Sequence, residues 1–129
     1  MADRRQHGTF AWNELATTDP QREMDFFRKT LAWEFQEFTL EEGPYWVASA
    51  NGVLVGGIGN MATGAVVAAD PYWFAFIEVD GIDRRIEMAR SEGAMILRPP
   101  YDVPGVGRVA VLRDPTGAAI GWMTGARSD

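Results

Sequence analysis

The spacing of hydrophobic residues follows the same succession of patterns in each half of the chain. Each half begins with a stretch of aromatic and β-branched residues, TFAWNEL at 9–15 and YWFAFIEV at 72–79, which predicts a strand. Apolar residues then recur at helical spacing, as in Met24, Phe27 and Leu31 of the first half. Short apolar stretches separated by turn residues follow each helix and predict further strands. The pattern therefore predicts one βαβββ unit, here called a repeat, in each half.

The ends of both predicted helices carry residues suited to those positions. Asp19 and Pro20 predict the first helix start, because the carboxylate can accept from free N–H groups and proline needs no donor there. Asp83 is the predicted cap of the second helix, and Gly93 predicts its end in a left-handed conformation. The apolar stripe of this second helix consists of Ile82, Ile86 and Ala89.

Sliding the sequence along itself indicates that the two halves are related. Residues 10–24 align with residues 74–88, and NGVLVG at 51–56 aligns with TGAAIG at 116–121. The first alignment pairs identical residues: Phe10 with Phe74, Ala11 with Ala75, Glu14 with Glu78, Asp19 with Asp83, Glu23 with Glu87, and Met24 with Met88. Nearly equal offsets at opposite ends of the repeat favour a duplication.

The predicted fold is α+β, a single domain over 1–129 built from two tandem βαβββ repeats at about 8–58 and 72–125. Residues 59–71, GNMATGAVVAADP, are small and end in proline, which predicts a linker. A four-stranded sheet with one helix leaves its other face uncovered, so we expect the two mixed sheets to curve around a shared cavity. That cavity is the expected binding site.

Composition and charge narrow the range of partners. The net charge of −6 opposes binding to phosphate backbones, so no nucleic-acid partner is expected. Solubility is a simpler explanation of this charge than attraction of a cationic ligand. Cysteine is absent, which excludes disulfides and thiolate metal sites. No apolar run approaches the roughly 20 residues that span a bilayer, and the first residues lack a secretory signal. We therefore expect a cytoplasmic protein without a membrane partner.

These features resemble the vicinal oxygen chelate superfamily, which includes glyoxalase I, bleomycin-resistance proteins, fosfomycin-resistance enzymes and extradiol dioxygenases. The resemblance covers nearly the whole chain and rests on the paired βαβββ order and on three segments. The segments are LATTDPQREMDFFRKTLAWEF at 15–35, VDGIDRRIEMARSEGA at 79–94 and RVAVLRDPTGAAIG at 108–121. The resemblance implies a glyoxalase-like fold, a small-molecule ligand and a homodimer.

Enzymes of this superfamily usually hold a divalent metal through His, Glu or Gln on the first and fourth strands of each repeat. The resemblance places these positions at Trp12, at Gly56 or Gly57, at Phe74 or Phe76, and at Gly121. Their side chains offer no lone pair that a divalent ion accepts. The sequence therefore predicts no metal and no cofactor, and it favours a binding protein over an enzyme. The single histidine, His7, precedes the first strand and is given no role.

Strand alternation places two related glutamates on the faces expected to look into the cavity. The members of these faces are Phe10, Trp12, Glu14 and Ala16 on the first strand, and Phe74, Phe76 and Glu78 on the fifth. Three interpretations of Glu14 and Glu78 stay open. In the first, each glutamate pairs with an arginine at the sheet rim. In the second, both anchor a cationic or hydroxylated ligand. In the third, they act as general acid and base or as unusual metal ligands.

Further ligand contacts are predicted on aromatic, glycine and loop residues. Trp12 and Trp122 stand at or beside a metal-ligand position, although core packing is the usual role of large aromatics. Gly56 and Gly121 would leave room for a ligand, or would mark close approach of two backbones. The segment PPYDVPGVGR at 99–108 predicts a stiff loop before the seventh strand, either an ordinary solvated loop or a pocket rim. Candidate rim contacts on it are Tyr101, Asp102 and Arg108.

The preferred function is that of a glyoxalase- or bleomycin-resistance-like protein that lacks the usual metal ligands and binds a small hydrophobic or aromatic molecule in the cavity. One alternative is a lyase, isomerase or dioxygenase-type enzyme that uses Glu14 and Glu78 as acid and base or as metal ligands. A second alternative is an antibiotic-sequestering resistance protein.

Overall fold

The computed structural model describes residues 6–40, 43–60, 68 and 70–125. Its helices and strands follow the predicted order twice. The first repeat contains β1 (Phe10–Thr17), α1 (Pro20–Leu31), β2 (Glu34–Leu40), β3 (Gly43–Ala50) and β4 (Val53–Asn60). The second contains β5 (Tyr72–Glu78), α2 (Ile82–Ser91), β6 (Met95–Val103), β7 (Gly107–Arg113) and β8 (Ala119–Gly125). The α+β class and the paired βαβββ order are confirmed.

Contacts divide the chain into two compact units, which are described separately. The first unit is Trp12–Phe74, and the second comprises residues 75–125 together with residues 6–11. β4 runs through Asn60, so the strand enters the predicted linker by two residues. Linker residues 61–67 and 69 lie outside the described part of the chain.

Residues near the start of the chain hydrogen-bond within the second unit. The Gly8 N–H donates to the Glu78 carbonyl at 2.8 Å, and the Glu78 N–H donates to the Thr9 carbonyl at 2.9 Å. The His7 imidazole accepts from the Asp80 N–H at 3.0 Å. These bonds attach the residues before β1 to the end of β5.

The sheet of the first unit has the strand order β2-β3-β4-β1. Strand β3 is antiparallel to both β2 and β4, and β4 runs parallel to β1. Helix α1 covers one face of this sheet, because Met24 is buried against Leu15 and Ile58. Partly buried aromatic residues surround this core: Phe27, Phe35 and Trp46. Among the described residues of this unit, no helix covers the opposite face of the sheet, which we call the open face.

The ends of α1 follow from the residues placed there. The Asp19 carboxylate accepts from the Arg22 N–H at 3.1 Å, which confirms the predicted cap. At the other end Ala32 adopts a left-handed conformation with φ 58°. Leu31, the last helical residue, is 53% exposed. Leu31 therefore continues the helical spacing of Met24 and Phe27 without being buried.

The sheet of the second unit has the strand order β5-β8-β7-β6, with β5 parallel to β8 and the other pairs antiparallel. Helix α2 covers one face and buries Ile82 and Ile86, as predicted. The buried partners of these two side chains are Val79, Ala110 and Leu112, and partly buried apolar residues around them are Ile77, Ala89, Ala94, Ile96, Ile120 and Trp122.

The start of α2 differs from the prediction. The helix begins at Ile82 after Gly81, which has a left-handed φ of 54° and offers no side-chain cap. Asp83 lies inside the first turn, so its predicted role as the cap is wrong. The end agrees with the prediction, since Gly93 takes a left-handed φ of 101° just after the helix.

Two of the connections between antiparallel strands, β3–β4 and β6–β7, differ in how well the local sequence predicted them. Asn51 and Gly52 form the turn between β3 and β4 with positive φ at both residues, as a two-residue hairpin turn requires. The loop predicted at 99–108 is wrong in extent, because β6 continues to Val103 and β7 begins at Gly107, so that residues 104–106 form the turn before the seventh strand. Shifts in the β6–β7 register between residues 96 and 101 accommodate the prolines that suggested a loop. Neither described helix is long and apolar enough to cross a membrane.

Candidate ligand-binding face

Three polar side chains converge on the open face of the first unit. The Trp12 Nε1–H donates to the Tyr45 hydroxyl oxygen at 2.8 Å. The Tyr45 hydroxyl in turn donates to the carboxylate of Glu14. Trp12 and Glu14 alternate along β1, whereas Tyr45 reaches them from β3, so two non-adjacent strands of the sheet contribute to the network. We call these residues the Trp12–Tyr45–Glu14 network.

Tyr45 can reach β1 because the intervening strand β4 carries glycine along this path. The register pairs Glu14 with Gly57 on one side of β4 and Tyr45 with Gly59 on the other. A Cβ atom on Gly57 would lie 2.9 Å from Tyr45 Cε2 and closer still to Cζ and the hydroxyl oxygen. The tyrosine ring therefore occupies the space that any larger residue at 57 would need.

The neighbouring glycines meet different surroundings. A Cβ on Gly59 would have Tyr45 Cδ1 at 3.5 Å and Glu14 Oε1 at 3.9 Å, which are ordinary contacts. A Cβ on Gly56 would lie 2.8 Å from the carbonyl oxygen of Asn13. Gly56 therefore serves close backbone approach between β1 and β4, one of the two interpretations of the strand glycines.

The environment keeps the Tyr45 hydroxyl protonated. Burial, followed by the charge of Glu14, raises the pKa of Tyr45 far above its usual range, while the hydrogen bond from Trp12 acts in the opposite direction. A tyrosine that stays neutral remains a hydrogen-bond donor, so it can hold the Glu14 carboxylate in one orientation.

An open groove continues the open face beyond the network. It has a volume of about 570 Å³. The lining residues are Glu34, Phe35, Gln36, Phe38, Val47, Ser49 and Leu54. Phe38 pairs with Tyr45 across β2 and β3, which joins the groove to the network. Phe38 is 43% exposed and Leu54 is 59% exposed, so apolar surface is available to a ligand.

In the second unit, Glu78 is a buried carboxylate. It is 4% exposed and accepts from the Gly125 N–H at 3.2 and 3.1 Å through its two carboxylate oxygens. Phe76, two residues earlier on β5, pairs with Gly121 of β8. The interactions of Glu78 with the backbone agree with a structural role. Its predicted role in ligand binding stays a prediction.

Other predicted site residues of the second unit also have neighbours that account for them structurally. The Arg108 guanidinium donates to both oxygens of Asp83 at 3.0 and 2.8 Å and to Asp102 at 3.2 Å. Its hydrogen bond holds the pKa of Asp83 below the usual range. Arg98 lies over the Tyr101 ring at 3.5 Å, and Trp122 packs against the core under α2.

Phe74, the remaining predicted residue, belongs to the first unit and is 8% exposed. Its ring meets Tyr72 edge-on, with centroids 6.1 Å apart. Trp73, on the opposite side of β5, contacts Phe27 and Trp33 with centroid distances of 5.9 and 6.4 Å. Whether Phe74 touches a ligand stays a prediction.

The residues at the family's metal positions do not fit a divalent ion. Trp12 uses its indole N–H as a donor, and the space beside Gly57 is filled by Tyr45. Phe74, Phe76 and Gly121 provide no oxygen, imidazole or thiolate. Within the described ranges, no three His, Cys, Asp or Glu side chains are grouped so that they could hold a metal.

Tyr45 is the site residue that the sequence analysis missed. Its segment, YWVAS, indicated only an apolar strand. The signal that could have identified it lies on β4, where Gly57 and Gly59 alternate and leave one side of the strand bare. A bare strand surface in a packed sheet implies that a large side chain from a neighbouring strand lies over it.

The fold and the paired repeats agree with the sequence comparisons. The Glyoxalase/Bleomycin resistance protein/Dioxygenase superfamily matches residues 9–121, and the chain belongs to this family. CFP32 of Mycobacterium tuberculosis, named as a provisional glyoxylase, is 31% identical over 121 residues, which cover 92% of this chain and 46% of CFP32. The anthracycline biosynthesis protein DnrV of Streptomyces peucetius is 30% identical over 135 residues, with 92% and 48% covered. The chain spans about half the length of these curated relatives.

Solved structures with low sequence identity share the fold. Methylmalonyl-CoA epimerase from Mycobacterium tuberculosis superposes with a TM-score of 0.60 at 12% identity, covering 92% of this chain and 89% of the epimerase. An uncharacterised protein from Methanosarcina mazei gives a TM-score of 0.57 at 18% identity, covering 94% and 97%. These similarities concern architecture alone.

Proposed function

We propose that this family member binds a small hydrophobic or aromatic molecule on its open face and does so without a metal. One observation carries the proposal. At the positions assigned to metal ligands, the first unit has Trp12, which donates a hydrogen bond, and Gly57, whose side-chain space is taken by Tyr45. The protein thus has an organised polar network where a catalytic metal would need empty coordination sites.

The groove beside the network supports a small-molecule ligand. Small-molecule sites are concave, largely apolar and supplied with a few polar groups, and their volumes are typically about 300–1,000 Å³. The groove combines Phe38, Val47 and Leu54 with the polar residues Gln36 and Ser49. Two relatives named for anthracycline biosynthesis give further support for an aromatic ligand.

Binding of neutral planar aromatic fragments to exhaustively chelated protein tests this function. We expect saturable binding that shifts the Trp12 Nε1–H resonance in NMR spectra. Leu54→Lys should weaken binding, because Leu54 lines the groove. Val53→Lys is the matched control, since Val53 is similarly exposed at 50% but points to the other side of β4.

Three results would contradict the proposal. The first is elemental analysis that finds one tightly bound transition metal per chain in protein purified without chelator. The second is fragment binding that disappears on chelation and returns when a metal is added. Equal weakening by Leu54→Lys and Val53→Lys would place the site away from the open face.

The enzyme alternative, with Glu14 and Glu78 as acid and base, stays a prediction, and so does the homodimer. Glu14→Gln and Glu78→Gln would distinguish an enzyme once a substrate is known, because turnover would fall far more than binding. Light scattering on the purified chain would measure its oligomeric state.

A further inference from the structure

The turn between β3 and β4 contains a reactive pair of residues, Asn51 followed by Gly52. The side-chain amide carbon of an asparagine is an electrophile, and the backbone nitrogen of the next residue can attack it through a five-membered ring. Glycine leaves this approach unobstructed, and a Cβ atom on Gly52 would meet no heavy atom within 4 Å. Both residues are exposed. The reacting groups are therefore accessible to each other and to water.

The end of this hairpin can open locally, which ring closure requires because the backbone of the turn must rotate. Between the turn and the register shift after residue 48 there are two pairs: Ser49 with Leu54, and Ala50 with Val53. Val53 is 50% exposed and Leu54 is 59% exposed. Opening therefore uncovers little additional apolar surface and costs little free energy.

Other residues capable of the same chemistry are placed less favourably. Asn13 and Asn60 lie within β1 and β4, and both are followed by residues with side chains. Asp80 precedes Gly81, but Arg85 binds its carboxylate at 2.8 Å and holds the pKa of Asp80 below its usual range. An ionised carboxylate is a far poorer electrophile than an amide. These positions therefore serve as internal controls for the turn.

We infer that Asn51 is a site of spontaneous deamidation and that its isoaspartate product disrupts one end of the ligand-binding groove. In the first step the Gly52 nitrogen forms a bond to Asn51 Cγ. The bond from Cγ to the side-chain nitrogen breaks, and ammonia leaves with the Gly52 amide proton. Water then opens the cyclic imide. Opening at Cγ gives aspartate, whereas opening at the backbone carbonyl gives isoaspartate, in which the chain runs through the side chain.

The isoaspartate product adds one carbon atom to the backbone of the turn. A two-residue turn determines the register of its strands through its length and its φ values. The longer turn therefore cannot preserve the pairing of Ser49 with Leu54, and both of these residues line the groove. The effect on ligand binding rests on the proposed function, whereas the deamidation itself does not.

Ageing the full chain in mildly alkaline buffer tests the modification. Peptide mapping by mass spectrometry measures conversion at each asparagine, and labelling with protein isoaspartyl methyltransferase measures isoaspartate. We expect Asn51 to convert at least about tenfold faster than Asn13 and Asn60, a rate ratio that corresponds to about 1.4 kcal/mol in activation free energy. Asn51→Gly is the matched control, because glycine keeps the positive φ of the turn and removes the amide. This variant should form no isoaspartate at the turn.

Binding of 1-naphthalenemethanol, a neutral aromatic probe, tests the effect on the groove. Aged wild type should lose binding sites in proportion to its isoaspartate content, and NMR contacts between Ser49 and Leu54 should weaken in the same proportion. Aged Asn51→Gly should keep its full binding capacity. Freshly prepared Asn51→Asp carries the new charge on a backbone of unchanged length, so it should bind the probe within about twofold of wild type.

Each contrary result overturns one step. Conversion of Asn51 no faster than that of Asn13 and Asn60 overturns the modification. Isoaspartate that leaves the NMR contacts between Ser49 and Leu54 intact overturns the effect on the groove, as does an equal loss of binding in aged Asn51→Gly. Failure of the fresh protein to bind the probe at millimolar concentration overturns the proposed function, while mass spectrometry and NMR still decide the deamidation and its effect on the hairpin.

Discussion

Replacing Gly57 by alanine measures how tightly the Trp12–Tyr45–Glu14 network is packed. The new methyl group would lie 2.9 Å from Tyr45 Cε2 and nearer still to the hydroxyl end of the ring. The backbone of β4 is paired on both sides and cannot retreat easily. The Tyr45 ring must therefore swing away, which breaks its hydrogen bonds with Trp12 and Glu14.

The expected cost combines steric and polar contributions. Inserting an extra methyl group into a packed site costs about 1–3 kcal/mol, and each net hydrogen bond lost costs about 0.5–1.5 kcal/mol. Alanine is favoured over glycine in a strand by roughly 0.5–1 kcal/mol, which offsets part of this. We expect Gly57→Ala to lower the free energy of unfolding by about 2–3 kcal/mol.

A double-mutant cycle separates the clash with Tyr45 from other effects. The free energy of unfolding is measured by chemical denaturation for wild type, Gly57→Ala, Tyr45→Ala and the double variant. In the Tyr45→Ala background, Gly57→Ala should be neutral or stabilising, giving a coupling energy of at least about 1.5 kcal/mol. Gly59→Ala is the control, because its methyl group would make only ordinary contacts.

Equal effects of Gly57→Ala and Gly59→Ala on the free energy of unfolding would show that Tyr45 is not tightly packed on Gly57. An unchanged cost of Gly57→Ala in the Tyr45→Ala background would show the same. Gly56→Ala adds a contrast, since its methyl group meets the backbone carbonyl of Asn13 rather than a side chain. Tyr45→Ala should leave the cost of Gly56→Ala unrelieved.

Other predictions concern single positions. Ala32→Gly should raise the free energy of unfolding by about 1 kcal/mol, because Ala32 has a left-handed φ of 58°, and Gly93→Ala should lower it by a similar amount. In denaturation series from pH 9 to 11, wild type should lose up to about 1.4 kcal/mol per pH unit above pH 10 relative to Tyr45→Phe. The sign follows because the raised pKa of Tyr45 lets the unfolded chain lose its proton first. Glu78→Ala should cost about 1–3 kcal/mol by leaving the buried Gly125 N–H without its acceptor, and equal stability to wild type would contradict this.

Local sequence signals predicted the fold well where the structure depends on neighbouring residues. Asp19 caps α1 and Gly93 follows α2 because both act through atoms within a few residues. Asp83 was predicted to cap α2 because it aligns with Asp19, but α2 begins two positions earlier than the alignment with α1 implies. Asp83 instead binds Arg108, a contact between residues far apart in sequence that no local pattern reveals.

The candidate site was predictable only in part for the same reason. Strand alternation predicted that Trp12 and Glu14 share a face, and the family resemblance added Gly57 as an alternative to Gly56; the structure brings Trp12, Glu14 and Gly57 together. Tyr45 did not, because its role depends on reaching across β4 to a strand that is not its neighbour in the sheet. Such a contact becomes visible only when the strand order is known.

The hydrogen bonds of Gly8 and Thr9 with Glu78 affect how the chain could be cut into two fragments that still fold. Residues 6–11 belong to the unit that contains the second repeat, although they precede the first repeat in the chain. A fragment cut at the repeat boundary would lack a segment of its own fold. Fragment complementation should therefore succeed only when the N-terminal segment travels with the C-terminal half, as in a circular permutant that joins the two ends.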